Sequence, residues 1–251
     1  MKTFKNIRYS DIGHERQVLD LYIPDGGSEF PVFVYFHGGG LESGSKDELL
    51  FIEDIVNRKI AVACANYRLY PTAVFPDFIR DAAAATAYVL KNISKYLKPS
   101  SFFIGGSSAG GYITQMLCFD KKYLAAYGID SDSISGYFMD AGQPTAHFNV
   151  LRERGLDTRK IIVDESAPLY FIEEGRNYAP MQITVSDNDM ENRYEQTNLL
   201  IETLRHFGCD MSKVIYKCVE NSTHCSYLNS KEPDGTYTFA NMVVSFIDKF
   251  R

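Results

Sequence analysis

The segment Gly105-Gly106-Ser107-Ser108-Ala109-Gly110-Gly111 contains the spacing Gly106-x-Ser108-x-Gly110, and among the short patterns of this 251-residue chain it points most directly to chemistry. A serine hydroxyl acts as a nucleophile when a base removes its proton and its Oγ projects clear of the chain around it. A sharp strand-to-helix turn gives that projection, and glycines two residues to either side remove the Cβ atoms that would collide there. A helix beginning at the serine also aims its N-terminal amides and positive dipole end at the point where an oxyanion forms. A second segment, His37-Gly38-Gly39-Gly40, exposes consecutive glycine amides, and such donors stabilise a tetrahedral oxyanion by about 3 kcal/mol each. On this reading His37 shapes its loop through hydrogen bonds and is not the base. Each pattern has a plain structural counterpart, a small-residue turn or a flexible glycine loop, so their positions relative to strands decide.

Those positions are specific. Residues 31–36 (PVFVYF) form a continuously apolar run, as in a central strand, and end directly before His37. Residues 101–104 are a strand ending at the glycine cluster, with a helix expected through about Phe119. Residues 59–65, 134–140, 181–185 and 213–219 read as further strands, and 16–24 (RQVLDLYIP) alternates as a half-buried edge strand would. Helices are expected from a capping box at Ser45 and Glu48 toward Arg58, from Asp77 through Tyr96, over 191–207 with a stop at Gly208, and over 238–250. Strands alternating with helices predict an α/β fold with a mostly parallel sheet covered on both faces, whose ligands sit beyond the carboxyl ends of the strands. Both glycine motifs fall at such ends.

At this point the chain resembles the α/β-hydrolase esterases of the hormone-sensitive-lipase-like and small acetyl-esterase group. The resemblance rests on His37-Gly38-Gly39-Gly40, on Gly106-x-Ser108-x-Gly110, on Asn66-Tyr67-Arg68-Leu69 and on Phe75-Pro76 through Asp81. It implies oxyanion donors at Gly38, Gly39 and Ala109. It also implies a triad in the chain order serine, acid, histidine. His224, in the loop after 213–219, is the one histidine in a post-strand loop downstream of the acid candidates; His147 lies upstream of them and His206 within an expected helix. Ser186-Asp187-Asn188-Asp189 follows the strand 181–185. In similar proteins the carboxylate stands a few residues beyond the strand end, which favours Asp189 and leaves Asp187 as a turn or supporting residue. Asp140 follows an earlier strand and is a minor candidate. The implied catalytic set is Ser108, Asp189 and His224.

Only 36 residues precede His37, so the N-terminal cap is expected to be short or absent and the site open. The whole of 1–251 is expected as one domain, with 142–179 the place for a lid whose Phe148, Leu151, Tyr170, Phe171 and Tyr178 either line a pocket or pack on the sheet. Leu41 stands where many relatives carry an aromatic, and Glu42 and Lys46 read as solvated charges. A net charge of −6 and a pI near 5.4 give nucleic acid nothing to attract it. The N-terminus shows no secretory or membrane-anchoring stretch, so a cytoplasmic protein is expected, its five cysteines reduced, with Cys225 notable for its neighbour His224. The expected activity is cleavage of small acyl or aryl carboxylic esters, acetylated or feruloylated sugars among them, with no metal or organic cofactor. The sequence leaves homo-oligomerisation open. An amidase or peptidase using the same triad is the alternative, and a non-catalytic binding protein a remote one, because fold alone does not establish activity.

Overall fold

Strands with apolar residues on both faces build the centre of the molecule, as a sheet buried by helices above and below requires. The computed structural model describes residues 1–251, with strands β1 (Lys2–Arg8), β2 (Val18–Ile23), β3 (Glu29–Phe36), β4 (Ala61–Ala65), β5 (Lys98–Ser107), β6 (Gly136–Asp140), β7 (Met181–Asn188) and β8 (Val214–Thr223). They form a single sheet in the order β1-β2-β4-β3-β5-β6-β7-β8. β1 and β2 run antiparallel, and β4, β3, β5, β6, β7 and β8 pair parallel in succession. After β3 the chain crosses to β4 on one side and then to β5 on the other. The carboxyl ends of β3 and β5 therefore flank the switch point where such sheets open a crevice.

Helices α1 (Ile52–Asn57), α2 (Asp77–Asn92), α3 (Ala109–Phe119), α4 (Lys122–Ala125), α5 (Phe148–Glu153), α6 (Arg193–His206) and α7 (Thr238–Phe250) cover both faces. α1 and α7 pack Phe51, Ile55, Phe239, Val243 and Phe246 against Phe33, Tyr35 and Phe138 on one face. α2, α3 and α6 bury Phe78, Ala82, Ile113, Met116, Leu200 and Leu204 on the other. No helix is long and apolar enough to cross a membrane.

Several expectations need correction. The strand within 16–24 is not an edge: β1 lies outside it, exposed along nearly its whole length and broken by a register shift between Phe4 and Ile7. The capping box does not open one helix to Arg58. Ser45 Oγ accepts the Asp47 amide at 3.2 Å over a single 3₁₀ turn, Lys46–Glu48, and α1 starts at Ile52. Lys46, within this 3₁₀ turn, is not a solvated charge. Its ammonium is buried 2.9 Å from the equally buried Asp20 of β2, and its amide donates to Asn66 Oδ1 at 2.7 Å. Removing one partner of a buried pair strands the other charge. Lys46→Met should therefore lower stability by about 3–5 kcal/mol, read as a shift of the urea midpoint at constant slope; an unchanged midpoint would show that the pair holds nothing.

Within 142–179, Leu151 and Tyr178 are buried in the core, Phe171 packs against it and Tyr170 points to solvent at 59% exposure. Of the five aromatic and aliphatic candidates only Phe148 reaches the crevice. Leu41 is fully buried in the core, while Glu42, at the surface, pairs with Arg152 and accepts from Asn149 Nδ2 at 3.2 Å.

Candidate active site

The loop after β3 is clamped from three sides. Tyr67 stacks on the His37 ring, with centroids 4.5 Å apart, and donates its hydroxyl to His37 O at 2.8 Å. The Arg16 guanidinium donates to Tyr67 O, to Gly44 O and to His37 Nε2 at 3.2 Å. Arginine only donates, so His37 Nε2 is the acceptor, and Nδ1–H donates to Gly38 O at 2.7 Å. Burial, opposed by that backbone bond and reinforced by Arg16, pushes the His37 pKa down to about 4. A neutral, doubly bonded ring is a scaffold. Arg68, in the same Asn66-Tyr67-Arg68-Leu69 motif, is held by Asp81 through Nε at 2.8 Å and Nη2 at 2.9 Å, which fixes the segment that carries Tyr67.

The turn after β5 puts Ser108 at φ 56°, ψ −114°, outside the regions an ordinary residue occupies, and α3 begins at the next residue. Ser108 N donates to Asp140 O at 2.8 Å, and Ser108 O accepts from Tyr112 N at 2.9 Å. The glycines are obligatory. A Cβ on Gly110 would stand 2.0 Å from Phe36 O, and one on Gly106 would stand 2.5 Å from the Gly110 carbonyl. A Cβ on Gly38 would lie 3.3 Å from Ser108 Cβ, so the two glycine motifs abut. The amides of Gly38 and Gly39 donate to no backbone carbonyl, and that of Ala109 opens α3, where no partner exists within the helix.

Facing this turn, His224 follows β8. Its Nε2 lies 2.8 Å from Ser108 Oγ and its Nδ1 lies 2.5 Å from Asp189 Oδ1. Asp189, its side chain fully buried, also accepts from Met190 N at 2.7 Å and Ser186 N at 3.2 Å. Burial alone would raise its pKa; the bond to His224, the charge there and the two amides together hold it below the ordinary carboxylate range. Asp187 points elsewhere, accepting Asn221 N at 2.8 Å and Ser222 N at 3.0 Å, and so ties the end of β7 to the histidine loop.

Asp140, at the end of β6, does not bond His224. It accepts from Tyr227, while Tyr35 donates to the neighbouring Ser107 Oγ at 2.8 Å. Burial, partly offset by bonds from Ser107 and Tyr227, raises its pKa to about 6. Cys225 adopts the left-handed conformation at φ 56°, and its thiol is pushed well above its ordinary range by burial and by Asp140 and Asp189. All five cysteines are unpaired, and no group of three or more His, Cys, Asp or Glu is arranged to hold a metal ion. His147 is a buried N-cap of α5, and His206 lies in α6.

A crevice of about 450 Å³ opens over Ser108 and His224, walled by Gly38, Gly39, Gly40, Phe148, Met190 and Leu228. Met190 and Leu228 have no sequence signal: Met190 directly follows Asp189, and Leu228 closes the 3₁₀ turn Ser226–Leu228 just past His224.

The profile of a family described as BD-FAE matches residues 19–149, about half of the chain. A probable isoprenylcysteine alpha-carbonyl methylesterase of Arabidopsis thaliana is 36% identical over 46% of this chain and 28% of its own length. The chain thus spans less than a third of that relative. A kynurenine formamidase of Danio rerio is 24% identical over 99% of this chain and 83% of its own. Among solved structures, a truncated carbohydrate esterase from gut microbiota superposes at TM-score 0.78 and 18% identity, covering 99% of this chain and 96% of that one, which shows a shared fold.

Proposed function

The chain belongs to the BD-FAE family, and from that membership we propose that it is a serine hydrolase cleaving small carboxylic esters, with Ser108 as nucleophile, His224 as base and Asp189 as the acid behind it. One observation carries the reading: the His224 imidazole bridges Ser108 Oγ at 2.8 Å and Asp189 Oδ1 at 2.5 Å, beside a loop of unengaged glycine amides. Proton transfer needs that reach, and the buried carboxylate sets the tautomer that leaves Nε2 free to accept. Ser108 attacks the ester carbonyl as His224 takes its proton. The developing oxyanion is held by the amides of Gly38, Gly39 and Ala109. The protonated imidazole gives its proton to the departing alcohol, and water activated by the same ring then releases the acid.

The esterase names of relatives and structural neighbours support ester substrates, and the gut carbohydrate esterase supports acyl groups carried on sugars. Residues 142–179, which supply Phe148 to the crevice wall, are the segment that would act as a lid. A cytoplasmic setting accords with the unpaired cysteines. Amide hydrolysis is the second reading, favoured by the formamidase that aligns along nearly the whole chain.

A fluorophosphonate probe should label Ser108 and no other residue by peptide mapping, and the protein should hydrolyse 4-nitrophenyl butyrate. Faster release from an N-formyl anilide than from the ester would replace the first reading by the second. Labelling elsewhere would remove both.

A further inference from the structure

Next to the crevice over Ser108, and sharing Phe148 and Met190 with it, lies a second hollow of about 230 Å³ whose character is different. Only two of its lining residues are hydrophobic. Its floor is Arg193, in the first turn of α6 and only 3% exposed. The guanidinium donates to Ala141 O and to Gln143 Oε1 at 3.1 Å, and no carboxylate pairs with it. A buried cation held by neutral acceptors alone is unusual, because buried charges are ordinarily paired. Beside it Gln196, 8% exposed, receives Thr145 Oγ1 on its Oε1 at 2.7 Å and leaves its Nε2 donating to no protein atom. At the rim stand Lys160 without an ion pair, Arg159 bound to Asp157, and Glu191 as the one opposing charge. Burial lowers the Arg193 pKa from its ordinary value, and the negative Asp189 works against that. On a chain of net charge −6 this is a local positive hollow that shares two wall residues with the crevice over Ser108.

We propose that this hollow is a subsite for a carboxylate carried by the substrate, received by the Arg193 guanidinium, the Gln196 amide and Lys160, so that the preferred esters are anionic. The proposal rests on the ester-hydrolase reading above. Planar donors from a guanidinium and a carboxamide match a planar carboxylate. A neutral alkyl group placed there would leave those donors unpaired, and that penalty is what makes such a pocket selective. The binding is uniform between ground and transition states, so it appears in KM.

The test is a pair of matched comparisons by kcat/KM. Mono-4-nitrophenyl glutarate against 4-nitrophenyl valerate puts the charge in the acyl group; 2-carboxyethyl butyrate against propyl butyrate, followed by acid release, puts it in the alcohol. In at least one pair the anionic ester is expected to lead by about tenfold, the worth of one hydrogen bond to a charged group. Gln196→Glu is nearly isosteric and sets a carboxylate beside Arg193, so it should bring that ratio to about one without lowering the melting temperature. Lys160→Met, on the surface, should reduce it by a smaller factor. Valerate and propyl esters turned over with no anionic preference in either pair, or a preference that survives Gln196→Glu, would overturn the subsite while leaving the esterase intact. Turnover of none of the four would remove the esterase reading and the subsite with it.

Discussion

With Ser108 as the proposed nucleophile, Ser108→Ala is expected to lower kcat for 4-nitrophenyl butyrate by about a millionfold while leaving the melting temperature within a degree or two of the parent. The size follows from how the groups act together. In the proposed mechanism, loss of Oγ leaves His224 with no proton to take and the amides of Gly38, Gly39 and Ala109 with no covalent tetrahedral oxygen to hold. What survives is the attack of water on an ester that still lies in the crevice, worth roughly 10³–10⁴-fold over bulk solvent in comparable enzymes. The fold is indifferent to the change. Ser108 Oγ bonds only His224, and the turn is fixed by its backbone bonds to Asp140 O and Tyr112 N together with the glycine approaches. Alanine at this strained φ is no worse than serine. Residual turnover within tenfold of the parent, with the purified variant shown by mass to be free of wild-type enzyme, would place the nucleophile elsewhere.

The parts of this arrangement that could be read in the sequence are those where burial and chirality leave little choice. Residues 31–36 are apolar at every position because β3 is covered on both faces, and Gly106 and Gly110 are glycines because Phe36 O and the α3 backbone leave no room for a Cβ. Their spacing is the imprint of a clash. His224 stood out by elimination among five histidines. β1 carried no signal for the opposite reason: its KTFKNIR packs almost nothing, so no apolar period marks it, and its lysines suit an edge that must not recruit another strand. Lys46 and Arg193 show a further limit. A lysine or arginine in a polar stretch reads as solvated, and only the fold reveals that Asp20 of a strand 26 residues earlier, or the Ala141 carbonyl on a neighbouring loop, draws it inside. Asp189 and Asp187 belong to the same class, since only the fold shows that Asp187 lies in the last stretch of β7 and points to the surface while Asp189, just past the strand, turns inward.

That difference is measurable. Asp189→Asn should reduce kcat by about 10⁴-fold, the loss seen when a triad carboxylate becomes an amide, and Asp187→Asn by less than tenfold. Asp189 presents two acceptor oxygens to three donors: His224 Nδ1–H and Met190 N–H at Oδ1, and Ser186 N–H at Oδ2. Asparagine has one acceptor and an NH₂ group. With its NH₂ toward Ser186, two donors face each other there. With its NH₂ toward His224 and Met190, the imidazole must accept at Nδ1 and carry its proton on Nε2, the nitrogen 2.8 Å from Ser108 Oγ, where it can no longer take the hydroxyl proton. Either orientation also withdraws the negative charge that stabilises the imidazolium. Asp187 accepts from the backbone amides of Asn221 and Ser222 and from Asn188 Nδ2 at 3.0 Å, all at the surface, so its replacement loosens the histidine loop without altering the tautomer. Measuring kcat for both variants against pH separates the cases: part of the Asp189→Asn loss should be recovered at alkaline pH, where a hydroxide-assisted route needs no base. If Asp187→Asn were the more damaging change, the acid would be that residue and the 2.5 Å contact between Asp189 and His224 would be only structural.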